Sequence, residues 1–299
     1  MLRTASVRVP ASSANLGPGF DVLALALDLH LEATAREAKT TTIEWKGEGA
    51  GEVPLSRRNL LVRAAQEPFD GWSRPLEGLE IRVHNRVPIG RGLGSSAAAI
   101  VAGIILGGRL RGLRMSQQRV LELALPLEGH GDNLAAALYG GFCVAAIEDG
   151  GARVHRLDWP ARWRAVILVP AALSPTHEAR RLVPRRPARQ DAVFNLSRVA
   201  EWVLAVIERD RSLLSSAMDD RLHQPGRLRA YPYLDDVIAA AEQAGALGAA
   251  LSGAGGSVIA IADRNLEQVG RAMRTVARAH RLDHRVLTLS VIRRGALLS

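Results

Sequence analysis

The sequence predicts an α+β protein built from two domains. Its 299 residues are 47% hydrophobic, which is enough to bury one large core or two smaller ones. Segments with the period-two pattern of strands alternate with segments of helical pattern along the whole chain. Turn-forming residues cluster at Glu148–Gly151 and Asp158–Pro160, so we place the boundary there, with residues 1–158 in the first domain and 159–299 in the second.

Strands are expected to open the first domain, and helices to follow them. The predicted strands are Ser6–Val9, Leu25–Glu37, Thr40–Trp45 and Leu79–Val87. The predicted helices are Ala97–Leu110, which is apolar on all sides, Ser116–Leu125, which Ser116 caps, and Asp132–Leu138. Gly140 and Gly141 are expected to end the last helix before a buried strand around Cys143.

The second half of the chain is expected to read strand, two helices, two strands, helix and strand. These elements are Ala165–Val169, Val193–Arg209, Leu234–Ala244, Gly248–Leu251, Val258–Ala262, Leu266–His280 and Arg285–Val291. That order suits a ferredoxin-like arrangement.

Composition excludes several classes of protein. Cys143 is the only cysteine, so no internal disulfide forms, and its apolar neighbours argue against a nucleophilic role. The longest apolar stretch is far short of the roughly 20 residues that span a bilayer, and the N-terminus shows no export signal. We therefore expect a cytoplasmic protein with no membrane partner.

The net charge of +9 comes almost entirely from arginine. The densest cluster lies between Arg180 and Arg189, where prolines interrupt it. Such a cluster is usually a solvated connection, and without interleaved aromatic residues it does not predict a nucleic-acid partner. One of its arginines can instead serve an anionic site, for which Arg180 is the best candidate. The sequence leaves the oligomeric state open and allows a homodimer.

A glycine-rich segment before the apolar helix predicts a phosphate loop. Glycines let backbone N–H groups approach an anion closely, while Ser95 or Ser96 is expected to cap a helix whose positive dipole end faces it. A lysine-bearing P-loop, a protein-kinase site and a dinucleotide fingerprint all fail on residue type or spacing. The residues of the predicted loop are Pro88, Ile89, Gly90, Arg91, Gly92, Leu93, Gly94, Ser95, Ser96, Ala97 and Ala98.

Two further segments give the phosphate loop its context. They are Val9–Asp21, reading VPASSANLGPGFD, and Gly248–Ser257, reading GAALSGAGGS. In this order and spacing, the three segments resemble the motifs of the GHMP small-molecule kinases, and the first motif is most similar to that of the homoserine kinase branch. The resemblance extends from about residue 5 to about residue 262.

This resemblance implies a fold and a reaction. The implied fold is an N-terminal domain of the ribosomal-S5-like type and a ferredoxin-like C-terminal domain, with the active site in the cleft between them. The implied reaction transfers a phosphoryl group from ATP, with Mg²⁺, to the hydroxyl of L-homoserine and gives O-phospho-L-homoserine for threonine biosynthesis. Two alternatives stay open: a GHMP kinase for another small alcohol, and a non-enzymatic, basic nucleic-acid-binding protein.

The resemblance also assigns nucleotide and metal positions. Ser96 and Glu122 match the magnesium ligands, although Glu128 competes with Glu122 for that role. Asn59 lies where family members contact the adenine base. Gly253 and Gly255, in a third motif that lacks the usual proline, are expected to support the phosphate loop from the second domain.

The segment Glu128–Asn133 resembles the family sequence Glu-Gly-His-Pro-Asp-Asn, with glycine replacing the proline at position 131. The resemblance places His130 against the substrate and gives Asp132 and Asn133 catalytic positions. The same residues can also simply cap the helix that follows. Because an asparagine amide cannot accept a proton, we expect the hydroxyl to attack without a dedicated strong base.

A zwitterionic substrate needs groups for both of its charges. Asn15 and Asp21 match the family's substrate-binding positions in the first motif. Arg180 and Arg227 are the expected carboxylate ligands, with Arg221 as the nearest rival. By the same resemblance, Thr176 and Arg180 are also expected at catalytic positions.

Overall fold

The computed structural model describes residues 4–68, 75–148, 151–173 and 176–298. Within these ranges the strands are β1 (Thr4–Asn15), β2 (Gly19–Ala38), β3 (Thr42–Gly47), β4 (Gly78–Asn85), β5 (Phe142–Glu148), β6 (Gly151–Leu157), β7 (Arg164–Pro170), β8 (Gly248–Leu251), β9 (Val258–Ala262), β10 (His284–Leu289) and β11 (Leu297–Leu298). The helices are α1 (Leu60–Ala64), α2 (Ser95–Leu110), α3 (Gln117–Glu128), α4 (Asp132–Tyr139), α5 (Thr176–Arg181), α6 (Arg189–Glu208), α7 (Leu214–Ala217), α8 (Gln224–Arg227), α9 (Leu234–Gln243) and α10 (Leu266–Ala279).

The first sheet contains seven of the described strands. Its order is β11-β1-β2-β4-β3, and β5 and β6 branch from β2. The long strand β2 pairs with β1, β4 and β5, so it ties the whole sheet together. Helices α2 and α4 pack against β1 and β2, and the uniformly apolar stretch of α2 is buried as expected. This packing fixes the start of α2, where the phosphate loop ends.

The second sheet contains four of the described strands in the order β10-β7-β9-β8, all antiparallel. Taken in chain order within this half, the strands lie in the order 4-1-3-2, with α9 and α10 packed against the sheet. This is the ferredoxin-like arrangement that the sequence predicted. The predicted α+β fold, with a ferredoxin-like second half, is therefore confirmed.

The end of the chain departs from the sequence-based division. Residues after β10 return to the first sheet: Asp28 N donates to Ser290 O at 2.9 Å, Ile292 N donates to Ala26 O at 3.0 Å, and β11 pairs with β1. The division at residues 158 and 159 stays a prediction, but the final segment packs with the N-terminal sheet. The predicted strand to Val291 was too long, because β10 ends at Leu289.

Smaller expectations were also tested. Ser116 caps α3, accepting a hydrogen bond from Arg119 N at 3.1 Å, as predicted. The expectation that Ser95 or Ser96 caps α2 was wrong, since Gly94 is the N-cap and both serines lie in the first turn. Cys143 lies buried in β5, where burial raises the pKa of its thiol to about 12.

An aromatic cluster joins α6 to the first sheet. The Trp202 ring from α6 lies 5.5 Å from the Phe142 ring and 6.2 Å from the Trp159 ring, measured between centroids. Trp202 and Phe142 are fully buried. The cluster seats α6 beneath the turn between β1 and β2, which carries the first motif. Among the described residues, no helix is both long enough and apolar enough to cross a membrane.

Candidate active site

The three sequence motifs meet at one point in the cleft. Ser13 Oγ and Ser252 Oγ are 2.8 Å apart, and Ser252 Oγ donates to Gly92 O at 2.7 Å. Ser12 N donates to Leu93 O at 3.1 Å, which adds a second tie between the first motif and the phosphate loop. The motifs therefore hold one another in place through short, buried hydrogen bonds.

The phosphate loop has the backbone conformation that its glycines predicted. Gly90, Gly92 and Gly94 all have positive φ, at 66°, 79° and 68°. A Cβ on Gly92 would lie 2.1 Å from Ser252 O, so the close approach of the third motif also requires glycine. The loop ends at the N-terminus of α2, where free backbone N–H groups and the helix dipole favour an anion.

Arg91 anchors this loop to the second half of the chain. Its guanidinium donates to Pro170 O at 3.0 Å and to Ala171 O at 2.5 Å, both at the end of β7. A further hydrogen bond, to Ile89 O at 2.6 Å, closes the loop on itself. This side chain is therefore committed to backbone carbonyls, and the loop's backbone is left to face the cleft.

One cavity is lined by groups from all three motifs and from both halves of the chain. Its lining residues are Asn15, Phe20, Asp21, Gly90, Gly92, Gly94, Ser95, Ser96, Glu128, His130, Asp132, Asn133, Arg180, Arg227, Gly253 and Ala254. Most of the site residues expected from the sequence thus lie together. Arg221 does not line the cavity, because its guanidinium stacks on the Phe194 ring with 3.9 Å to the centroid.

Opposite charges face each other on one wall of this cavity. Arg180 donates to both carboxylate oxygens of Asp21, at 3.0 and 2.5 Å. The two side chains are 34% and 32% exposed, so the pair remains accessible from the cleft. Asn15 orders Asp21, since its Oδ1 accepts from Asp21 N at 3.1 Å while its Nδ2 donates to Gly253 O at 2.9 Å.

Arg227 is a fully buried guanidinium in the same wall. Its Nε donates to Ala179 O at 3.2 Å, and its Nη1 lies 2.9 Å from His223 Nδ1 and 3.1 Å from Gly253 O. Its Nη2 is buried, and no group in the described part of the chain accepts a hydrogen bond from it. Burial lowers the pKa of Arg227 to about 10, which still leaves it charged at neutral pH. A buried cation with one unsatisfied donor is suited to bind an anionic group in the adjoining cavity.

The floor of the cavity is formed by the end of α3 and the start of α4. Ser96 Oγ donates to Glu128 Oε1 at 2.7 Å, and burial raises the pKa of Glu128 above its usual value. His130 Nδ1 lies 2.9 Å from Asp132 Oδ1. Although burial lowers the pKa of His130, its hydrogen bond to Asp132 and the nearby negative charges raise it overall.

Asn133 is held from two sides. Its Oδ1 accepts from Ser12 Oγ at 2.8 Å, and its backbone N donates to Asp132 Oδ1 at 2.6 Å. Asp132 thus orders both His130 and Asn133 through one oxygen. This arrangement leaves the Asn133 amide nitrogen, rather than a proton acceptor, as the group available to a ligand.

The structure does not bring Glu122, the metal ligand expected from the sequence, to this cavity. The Glu122 carboxylate pairs with Arg119 Nη1 at 3.2 Å on the outer side of α3 and does not line the cavity. Glu128 instead lies against Ser96, as the competing assignment required. Serine and carboxylate oxygens are the hard ligands that Mg²⁺ prefers, so Ser96 and Glu128 fit that ion.

A second, mostly apolar cavity of about 320 Å³ adjoins the phosphate loop. Trp45, Val53, Pro54, Leu60 and Ile89 contribute to its lining, together with Asn59 and Ser96. Asn59 also caps α1, accepting from Leu61 N at 3.0 Å. The cavity has the apolar lining and position that suit a flat base whose phosphates lie on the loop.

Thr176 begins α5, but its side chain lies outside the described residues.

Sequence reasoning missed the side chains that hold the turn between β1 and β2. Three successive carbonyls accept hydrogen bonds from the second half of the chain: Leu16 O from Trp202 Nε1 at 2.8 Å, Pro18 O from Asn195 Nδ2 at 3.2 Å, and Gly17 O from His223 Nε2 at 2.7 Å. All three donor residues are buried. The sequence signal was weak: Asn195 is a polar residue within the run Val193–Leu196, and His223 stands in a polar segment between Asp220 and Gln224.

The fold and this cleft define a small-molecule kinase of the GHMP type. Two family models agree with this assignment. The model of the GHMP kinases N terminal domain matches residues 59–141, and the model of the GHMP kinases C terminal domain matches residues 203–279. A mevalonate kinase from L. major, at 18% identity, shares the fold with a TM-score of 0.70.

Closer relatives define the branch. The chain is 41% identical to homoserine kinase from Moorella thermoacetica over 89% of this chain and 90% of that protein. It is 42% identical to homoserine kinase from Clavibacter michiganensis over 87% of this chain and 83% of the relative. A crystal structure of homoserine kinase from Cytophaga hutchinsonii superposes with a TM-score of 0.88 at 30% identity, covering 99% and 97% of the two chains. The chain belongs to the homoserine kinase family of GHMP kinases.

His223 gives this site a measurable signature in stability. Burial lowers its pKa from 6.5 to about 4, against the opposing charge of Asp220. Between about pH 6.5 and pH 4, His223 is protonated in the unfolded chain but neutral in the folded one. We therefore expect the free energy of unfolding to fall by about 3 kcal/mol for this group alone as the pH drops through that range. His223→Gln should lack that part of the pH dependence, as measured by urea unfolding across this range. Equal slopes for the two proteins would contradict the buried neutral histidine.

Proposed function

We propose that this protein transfers the γ-phosphoryl group of ATP to the hydroxyl of L-homoserine. The observation that carries the proposal is the wall formed by Arg227, with its unpaired Nη2, and the accessible Asp21–Arg180 ion pair. A zwitterionic amino acid can separate this ion pair, because its carboxylate can pair with Arg180 and its ammonium can pair with Asp21. Each side chain then keeps an oppositely charged partner.

The substrate groups are assigned from these contacts. The carboxylate binds Arg227 Nη2 and Arg180, and the ammonium binds Asp21, whose position Asn15 sets. His130 and Asn133 then border the side of the cavity where the hydroxyl of the substrate lies. Thr176 keeps its predicted catalytic position as part of this proposal.

The nucleotide is assigned to the adjoining surfaces. Its phosphates lie on the Gly90–Gly94 backbone and the start of α2, and its base lies in the apolar cavity beside Asn59. Ser96 and Glu128 hold Mg²⁺, which neutralises charge on the phosphates. No carboxylate takes the position of Asn133, so positioning and charge stabilisation supply the catalysis without a strong base. A cytoplasmic location remains part of the proposal.

The decisive experiment is a coupled ADP-release assay over a panel of alcohols with Mg²⁺-ATP. We expect L-homoserine to give the highest kcat/KM among L-homoserine, L-threonine, mevalonate and shikimate. Faster turnover of mevalonate or shikimate would assign the site to another small alcohol. Salt-sensitive RNA binding without any kinase activity would support the nucleic-acid alternative instead.

Replacing either carboxylate ligand should affect homoserine selectively. Arg180→Met and Arg227→Met each remove one partner of a charged contact, a loss of about 2–5 kcal/mol, so kcat/KM for L-homoserine should fall roughly 30-fold or more. The KM for ATP should stay close to that of the wild type. The ratio of kcat/KM for L-homoserine to kcat/KM for 3-aminopropan-1-ol, which lacks the carboxylate, should decrease in the same variants.

Arg221→Met is the matched control for these variants, because Arg221 stacks on Phe194 outside the cavity. Its kinetics should resemble those of the wild type. If Arg221→Met lost as much homoserine activity as Arg227→Met, the carboxylate would have been assigned to the wrong arginine.

Two variants test which glutamate of α3, Glu128 or Glu122, binds Mg²⁺. Glu128→Gln keeps the hydrogen bond with Ser96 but removes the anionic ligand, so we expect kcat to fall by about 100-fold or more and the Mg²⁺ dependence to shift to higher concentration. Glu122→Gln should retain activity, since that carboxylate only pairs with Arg119. The reverse ranking of the two variants would restore the assignment to Glu122.

A further inference from the structure

Gly255 of the third motif packs directly on the phosphate loop. A Cβ built on Gly255 would lie 2.3 Å from both Arg91 C and Gly92 N, the two atoms of the peptide bond between these loop residues. No side chain fits in that space, so bare backbone at position 255 is what allows the contact. The position of Gly255 therefore bears on the position of the loop at Gly92.

Two tyrosine hydroxyls hold the residues on either side of Gly255. Tyr231 Oη donates to Ala254 O at 2.9 Å, and Tyr233 Oη donates to Gly256 O at 2.8 Å. Both tyrosines are buried, as is the hydrogen bond that Tyr233 makes. Loss of a buried donor leaves its acceptor without a partner, so removing that hydroxyl should let the carbonyl move.

The tyrosines are themselves held firmly by the second half of the chain. They belong to the apolar core that α9 and α10 form with the second sheet, together with Leu234 and Val237, and their ring centroids lie 6.2 Å apart. Tyr231 N also donates to Arg227 O at 2.9 Å. Burial raises the pKa of Tyr233, so its hydroxyl keeps its proton at neutral pH and remains a donor.

The first glycine of the motif has separate support. Gly253 O accepts from Asn15 Nδ2 at 2.9 Å and from Arg227 Nη1 at 3.1 Å, and Gly253 N donates to Ala14 O at 2.9 Å. None of these contacts involves a tyrosine side chain. Loss of a tyrosine hydroxyl should therefore shift residues 254–256 against the phosphate loop and leave the substrate-binding wall in place.

We propose that Tyr231 and Tyr233 are positioning residues that hold the phosphate loop in place for ATP through Gly255. The inference rests on the proposed nucleotide site. Neither tyrosine lines the substrate cavity or the apolar cavity, so the hydroxyls act only by fixing the two carbonyls beside Gly255. Misplacement of a binding group by about 1 Å can slow a reaction about 100-fold, so small shifts of the loop matter.

Deleting one hydroxyl should impair the use of ATP and spare the use of L-homoserine. Tyr231→Phe and Tyr233→Phe should each raise the KM for ATP roughly 3–10-fold and lower kcat about 10-fold. The KM for L-homoserine should stay within about two-fold of the wild type. Tyr139→Phe is the matched control, because the hydroxyl of this third tyrosine makes only an exposed contact, 3.4 Å from Gln118 Oε1, and its kinetics should match the wild type.

Gly256 offers a steric test of the same contact. A Cβ on Gly256 would lie 2.4 Å from Tyr233 Oη, and the φ of Gly256 is not positive, so alanine is limited there chiefly by the hydroxyl. Gly256→Ala should lower kcat about 10-fold, and Tyr233→Phe, which vacates the hydroxyl position, should add no further loss when the two are combined. Losses that multiply in the double variant would contradict a shared contact.

Direct binding separates positioning from a general loss of folding. By calorimetry, Tyr233→Phe should bind Mg²⁺-ATP roughly 3–10-fold more weakly than the wild type and bind adenosine equally well, because adenosine has no phosphates for the loop to hold. Wild-type affinity for Mg²⁺-ATP in both tyrosine variants, or an equal loss for adenosine, would overturn the positioning role while leaving the proposed function intact. A wild-type protein that binds no Mg²⁺-ATP would overturn the proposed nucleotide site and this inference together.

Discussion

The turn between β1 and β2 is the constraint on which the rest of the site depends. Asn15, Leu16 and Gly17 have positive φ values of 69°, 50° and 83°. Glycine adopts this region freely and asparagine does so routinely, so the cost of about 1–2 kcal/mol falls on Leu16. Hydrogen bonds from Trp202, His223 and Asn195 to successive carbonyls of the turn hold it in place, and all three come from the second half of the chain.

One consequence is that both ends of the proposed substrate are bound by a single connected network. His223 Nε2 lies 2.7 Å from Gly17 O and its Nδ1 lies 2.9 Å from Arg227 Nη1. A neutral ring that donates from Nε2 and accepts at Nδ1 satisfies both contacts, and its lowered pKa agrees with that state. One rigid ring therefore sets the spacing between Arg227, the proposed carboxylate ligand, and the turn that precedes Asp21.

The sequence predicted the parts of this protein whose signals are local. Glycine spacing before an apolar run indicated the phosphate loop, and alternating segments indicated both halves of the fold. Glu122 shows where local evidence ends. It lies six residues before Glu128 on the same helix, which is about 240° around the axis, so only one of the two can face Ser96. Counting along the chain did not reveal how far α3 continues before Gly129 ends it.

Long-range contacts account for the remaining differences. Trp202 and Leu16 are 186 residues apart, and no pattern around either residue indicates that an indole will meet that carbonyl. The hydrophobic pattern also did not predict that residues 290–298 return to the first sheet. They pair with it only through the bridge between Leu27 and Val291 and through the two-residue strand β11, which are too short to show a pattern. What sequence did supply was the type of residue at each position, while the structure decided which of them meet.

The Asp21–Arg180 pair gives a physical reason for selecting a substrate with two charges. Each side chain satisfies the other while the cleft is open to solvent, so the partly buried charges are not left unpaired. A zwitterion replaces both contacts at once. Under the proposed function, a ligand with only a carboxylate, such as mevalonate, would pair with Arg180 and leave Asp21 without its cation. Leaving one charge unpaired in a partly buried site is costly. The proposed selectivity would then come from the penalty that the site imposes on singly charged alcohols as much as from its attraction for the amino acid.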